Sequence, residues 1–180
     1  MKSMTVDTCV ALIRRKLLRP ARPAPAGPFV RLAVGLSVAE MLVYTAQKVY
    51  MTARGEVGMP GHPAPASVQA QFEHPALAQA GNASLGVIAS LVALATVTRW
   101  GARIPRWMLL CALTLALVMQ SLGAVITIQR AGLDLAHPGW SAAWEVLSGG
   151  VQIVAWCVTV VSYGQRTRRP RLHPATEPLR

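Results

Sequence analysis

Acidic residues are scarce in this chain. Its 180 residues include seven Asp and Glu against 18 Lys and Arg, and charged residues of both signs make up 14%, where a soluble domain carries about a quarter. Cysteine is scarcer still. Cys9, Cys111 and Cys157 form no C-x-x-C, and the last two fall in the inner halves of apolar runs. That weighs against a disulfide facing an oxidising compartment, and against a thiol-redox enzyme of the quinone-reducing kind. There is no phosphate-binding glycine loop, no H-E-x-x-H, no G-x-S-x-G and no histidine pair within the apolar runs to hold haem. Nothing therefore points to catalysis, and no cofactor or metal is expected.

Apolar residues are what the chain has in abundance: 53% of the sequence, with a mean hydropathy of +0.39. They gather in four runs, Phe29–Met51, Gln79–Thr98, Trp107–Ile128 and Ala142–Tyr163, each long enough to span about 30 Å of hydrocarbon as helix. Backbone groups in lipid must bond within their own segment, which favours helices, and the runs lack the alternation of barrel strands. The expected fold class is an all-α integral membrane protein, a bundle of four transmembrane helices occupying residues 29–163.

The net charge of +11 is distributed by side rather than gathered into a nucleic-acid patch. Lys2, Arg14, Arg15, Lys16, Arg19, Arg22 and Arg31 precede or open the first run; Arg99, Arg103 and Arg106 crowd the link between runs two and three; Arg166, Arg168, Arg169, Arg171 and Arg180 fill the tail. A four-span chain puts all of these on one side, leaving Arg54 and Arg130 in the opposite connections. The positive-inside rule then predicts both termini in the cytoplasm, with no nucleic-acid partner. Trp100, Trp107 and Tyr163 fall at the inner surface, and Tyr50, Trp140 and Trp144 at the outer one, where amphipathic rings settle. Asp7 and the short Val10–Ile13 run argue against a cleaved signal peptide, so the first span is expected to act as an uncleaved anchor. The excess of Arg over Lys, with abundant Ala, Pro and Val, suggests a GC-rich bacterial genome and hence the plasma membrane.

Residues 1–28 form a basic, proline-rich cytoplasmic segment. Val6, Cys9, Val10, Ile13 and Leu17 recur at helical spacing, with Arg14, Arg15, Lys16 and Arg19 clustered beside them. Two readings stand: a short helix on anionic lipid headgroups, or an unstructured tail whose charges set topology. Residues 164–180 form a similar basic tail. The outer loop 52–78 is rich in glycine and proline up to about Ala66, and Ser67–His74 is expected to form a short interfacial helix. Pro75 should then open the second span. His62, His74 and His137 share the outer side with Glu56, Glu73 and Asp134, yet no pair has ligand spacing, and each histidine precedes a proline that opens a turn.

Two ionisable groups interrupt the first run. Ala33, Ser37, Glu40, Tyr44 and Gln47 form one stripe with Lys48 at its edge. Eight residues separate Glu40 from Lys48, about 12 Å of helix, so they do not pair with each other. Lys48 either snorkels to the outer surface or pairs with Glu145 near the start of span four. Glu40 lies near mid-membrane, where a carboxyl group must hold a proton or gather donors. Gln120 on span three and Gln152 on span four lie at matching depth. Glu40, Tyr44, Gln120 and Gln152 are therefore the candidate intramembrane polar cluster. It serves either a proton or cation site or the specification of which helix faces meet. Asn82, Gly86 and Ser90, with Ala89 and Ala93, make a small-residue stripe on span two, expected to pack within the chain.

A glutamate in the first of four spans is similar to the arrangement in small multidrug transporters. Those chains are shorter, with tight loops and little charge bias, and the 29-residue segment 52–80 has no place in that pattern. RLAVGL, followed by a lysine ending span one, resembles DoxX-type four-helix membrane proteins over the first two spans, in residues common to many membrane helices. No site is carried across from either family. The leading expectation is a non-enzymatic auxiliary or interaction subunit that meets the lipid bilayer and another membrane protein. The alternatives are a proton- or cation-coupled transporter using Glu40, or a membrane-embedded enzyme acting on a lipid or quinone.

Overall fold

A computed structural model describes residues 23–60, 62–130 and 140–168, and the side chains of these except 62, 127–130 and 140–146. Four long helices dominate: α1 (Pro28–Arg54), α3 (Pro75–Ala95), α4 (Arg106–Arg130) and α5 (Trp140–Arg166). All four are long and apolar enough to cross a membrane. Between α1 and α3 lie a two-residue antiparallel pair, β1 (Gly58–Met59) with β2 (His62–Pro63), and one helical turn, α2 (Ala66–Gln69). The expected interfacial helix over Ser67–His74 is thus shortened to a single turn. Gln69, closing that turn, ties it to the residues flanking the hairpin: its side-chain amide accepts from Val57 N–H at 3.1 Å and donates to Ala64 O at 3.3 Å.

Local chemistry sets the helix ends. Pro28 and Pro75 occupy the first turns of α1 and α3, where their missing N–H costs nothing. Helix α1 stops at Gly55, whose φ of 67° is open to glycine at little cost. The N–H groups of Gly55 and Glu56 then bond Thr52 O and Met51 O, satisfying carbonyls that the helix leaves unpaired. Helix α3 ends at Ala95, sooner than its apolar run, because the chain turns back there. Gly101, in the 3-10 turn Trp100–Arg103, lies so close to the Ala95 carbonyl that a Cβ would collide with it.

The helices form a ring in which each packs on its neighbours in sequence and α5 returns to α1. The tightest contact is α1 with α3. Gln79, Ala83, Gly86, Ser90 and Ala93 are the buried face of α3, so Ala83 occupies the place expected of Asn82. At Gly86 a Cβ would collide with Thr45 Oγ1 and stand 3.1 Å from Tyr44 Cδ1 and 3.3 Å from Met41 O. The core is concentrated toward the end of the bundle that holds residue 28. There Val34, Ala93, Ala95, Leu109, Leu113, Trp156 and Tyr163 pack together, with Met41 reaching toward the middle. Beyond Leu113 no described residue of α4 is buried: Leu115, Val118, Met119, Leu122, Val125 and Ile126 are all exposed.

Replacing Gly86 with Val should cost about 1–3 kcal/mol or abolish the folded state, since two backbones must separate. Gly81→Ala, with nothing within 4 Å of the new methyl, should stabilise by about 0.5–1 kcal/mol through helix propensity. Thermal unfolding in detergent, followed by circular dichroism, checks both.

Candidate functional site

The end of the bundle holding the hairpin is organised by Lys48. Its side chain is 7% exposed and its ammonium donates to Gly58 O at 2.8 Å, while standing 5.3 Å from the centre of the Tyr44 ring. Gln79, 1% exposed, donates to the same carbonyl at 3.4 Å. Gly58 can present its oxygen this way because its φ of 134° is a conformation other residues rarely adopt. Two polar side chains from two helices therefore converge on one loop carbonyl. A charge removed from water needs such a partner, and here the loop between α1 and α3 supplies it. The side chain of Glu145 lies outside the described residues, so its expected pairing with Lys48 is neither made nor broken by this contact. Next to the hairpin, Arg54 and Glu56 form an exposed ion pair at 3.0 Å, and the guanidinium holds the Glu56 carboxyl below its usual range.

The middle of the bundle is different. Glu40 is half-buried, and its Oε2 is enclosed without a hydrogen-bond partner among the described residues. Gln120, expected as a donor to it, instead points its amide at Met41 Sδ, 3.3 Å away. A thioether is a weak acceptor, so this donor is poorly used, but the contact does place Gln120 level with Glu40 across the ring. Tyr44 leans the other way, toward Lys48 and the α3 backbone at Gly86. Gln152 is half-buried on α5, on the same helix face as the fully buried Trp156 and Thr159. No hydrogen bond joins the four candidate residues to one another among the described residues.

The opposite end carries a set of contacts made by arginines that the pattern of charge explains only as topology. Arg166 donates to Ser162 Oγ (3.1 Å), to Ala24 O (3.1 Å) and to Thr96 O (3.0 Å), and its own carbonyl accepts from Ala24 N–H at 3.1 Å. It ties the segment before α1 to the ends of α3 and α5. Arg106, opening α4, donates to Thr167 Oγ1 (2.8 Å) and Gly164 O (3.4 Å). Both guanidiniums bind carbonyls or hydroxyls at helix C-terminal ends, where partial negative charge collects. Beneath them Tyr163 is fully buried, with no partner for its hydroxyl. The missed signal was spacing: Ser162, Arg166 and Thr167 crowd the last turn of an otherwise apolar helix.

Among the described residues no three of His, Cys, Asp and Glu come together to hold a metal. Comparison with known proteins adds no guide to the site: no family model, no curated protein and no solved structure matches the chain.

Removing the Lys48 charge tests the arrangement around the hairpin. Lys48→Met should weaken the attachment of the hairpin by about 1.5–3 kcal/mol, the range for a charged hydrogen bond. Hydrogen exchange at Val57, Gly58 and Ala64 should accelerate while amides near Arg166 keep their wild-type rates.

Proposed function

We propose that this chain is a multi-pass protein of a bacterial plasma membrane, with both termini in the cytoplasm, and that it serves as a non-enzymatic auxiliary or interaction subunit. Four helices of spanning length support the first part, and the one-sided distribution of arginine supports the orientation. The observation that carries the second part is Glu40. Twelve residues beyond Pro28, about 18 Å along the helix, it presents a carboxyl group whose enclosed oxygen has no hydrogen-bond partner among the described residues. Such a group in hydrocarbon is stabilised by a proton or by a donor from elsewhere. The part of α4 beyond Leu113, which faces outward with large apolar side chains, offers a surface on which a partner helix would dock.

The same oxygen supports a second reading, a small carrier in which Glu40 binds a proton or cation. The two readings part on Glu40→Gln. In a carrier it should abolish flux while leaving expression and any complex intact. In an interaction subunit it should weaken or leave unchanged the recovery of a partner, with no flux to lose. Gentle purification from the native membrane, followed by mass spectrometry of retained proteins and small molecules, should yield a stoichiometric protein partner. A chain recovered alone would sink the subunit reading. Alkaline phosphatase fused after residue 60 should be active, and fused at either terminus inactive. The reverse pattern would overturn the orientation.

A further inference from the structure

Lys48 and Gln79 are buried close to helix ends, where most side chains are open to solvent. Lys48 lies six residues before the last of α1, and its neighbours Val49 and Tyr50 are 56% and 50% exposed. Gln79 is the fifth residue of α3, yet it is among the most enclosed side chains of the molecule. Their cover is the connection between the two helices, because both donate to Gly58 O within it.

That connection has no core of its own. From Thr52 to Ala78 no residue with a described side chain is buried. It is held together by hydrogen bonds instead: Ala64 N–H donates to Val57 O at 2.8 Å, and the Gln69 side chain joins Val57 N–H to Ala64 O. Among the described residues, the hydrogen bonds that fasten the stretch from Val57 to Gln69 onto the helices all end on one atom, Gly58 O. A short hairpin is marginal by itself, and a segment with few buried contacts opens locally at a fraction of the cost of global unfolding. The close approach of α1 and α3 at Gly86 is made by Thr45, Tyr44 and Met41, none of them in the connection, so the helices stay paired while it lifts. We propose that the hairpin and α2 form a lid over Lys48 and Gln79, opening and closing while the four helices stay packed. Closed, Gly58 O receives both donors. Open, water receives them, and the ammonium, the amide and the Tyr44 ring beside them come within reach of solutes. The lid depends on neither reading of Glu40.

The test reads how readily the Lys48 amine is reached. The full chain in mild detergent is treated with a water-soluble acylating ester, and peptide mass spectrometry resolves Lys48 from Lys2 and Lys16. Amide hydrogen exchange is followed in parallel, and each rate is divided into that of the chain unfolded in sodium dodecyl sulfate. Lys48 should be protected roughly tenfold or more, and its protection should fall well short of that of the Ala89 and Ser90 amides, which exchange only when the helices part. Gly58→Ala places a side chain on a φ of 134°. It should speed acylation of Lys48 about tenfold, the strain of such a backbone converted to a rate, with the Ala89 and Ser90 amides unchanged. Gln69→Leu, which removes both side-chain ties between α2 and the hairpin, should also speed it and serves where the first variant folds poorly. Acylation as fast as in the unfolded chain would show that nothing covers Lys48. Protection equal to that of the Ala89 and Ser90 amides would show that the connection opens only with the helices. Either result, or a rate that neither variant moves, would overturn the proposal.

Discussion

The rest of the bundle depends on how closely α1 and α3 approach at Gly86. With no side chain there, Thr45, Tyr44 and the Met41 carbonyl come against the backbone of α3. That contact sets the register of the two helices. It brings Lys48 and Gln79 to the same height, so that both reach Gly58 O, and it turns Tyr44 toward Lys48 rather than toward the ring's centre. In lipid there is no hydrophobic drive between helices, so close packing of small residues carries much of the association. Serine in place of a larger residue at position 90 continues the same approach one turn on, its hydroxyl bonded back to Gly86 O.

Polar groups along the bundle fall into two classes. At both ends they converge on backbone carbonyls: Lys48 and Gln79 on the hairpin, Arg166 and Arg106 on helix ends and the entering segment. Others are left over: among the described residues Glu40 Oε2, Gln79 Oε1, Trp156 Nε1 and the Tyr163 hydroxyl are enclosed without partners, and Gln120 settles for sulfur. The contacts at the ends thus fix the frame, and Glu40 is the one carboxyl group left unmatched among the enclosed atoms.

The sequence displayed some of this openly. Helix length follows from four long apolar runs, and Glu40 and Lys48 stand out because charge is so rare around them. What it hid was the direction of each polar side chain. Gln120 and Glu40 share a depth, but whether an amide reaches a carboxylate or a neighbouring thioether depends on packing that periodicity does not contain. Gln79 was read as the edge of a span, yet it is among the most enclosed polar residues, because the hairpin folds back over it. The hairpin itself, in GMPGHP, was legible only as turns, since two paired residues leave no alternation to detect. Arg106 and Arg166 satisfied the orientation rule so well that a second, structural use for them was not required by any pattern.

The Arg166 contacts also impose an order on biogenesis. Arg166 and Ala24 are 142 positions apart, and α1 emerges from the ribosome long before α5. Helices α1 and α3 can meet as soon as both are made, whereas the fastening of the segment before α1 waits for α5. A nascent chain halted short of residue 166 would hold a paired α1 and α3 without the Ala24 contacts that tie down the segment leading into them.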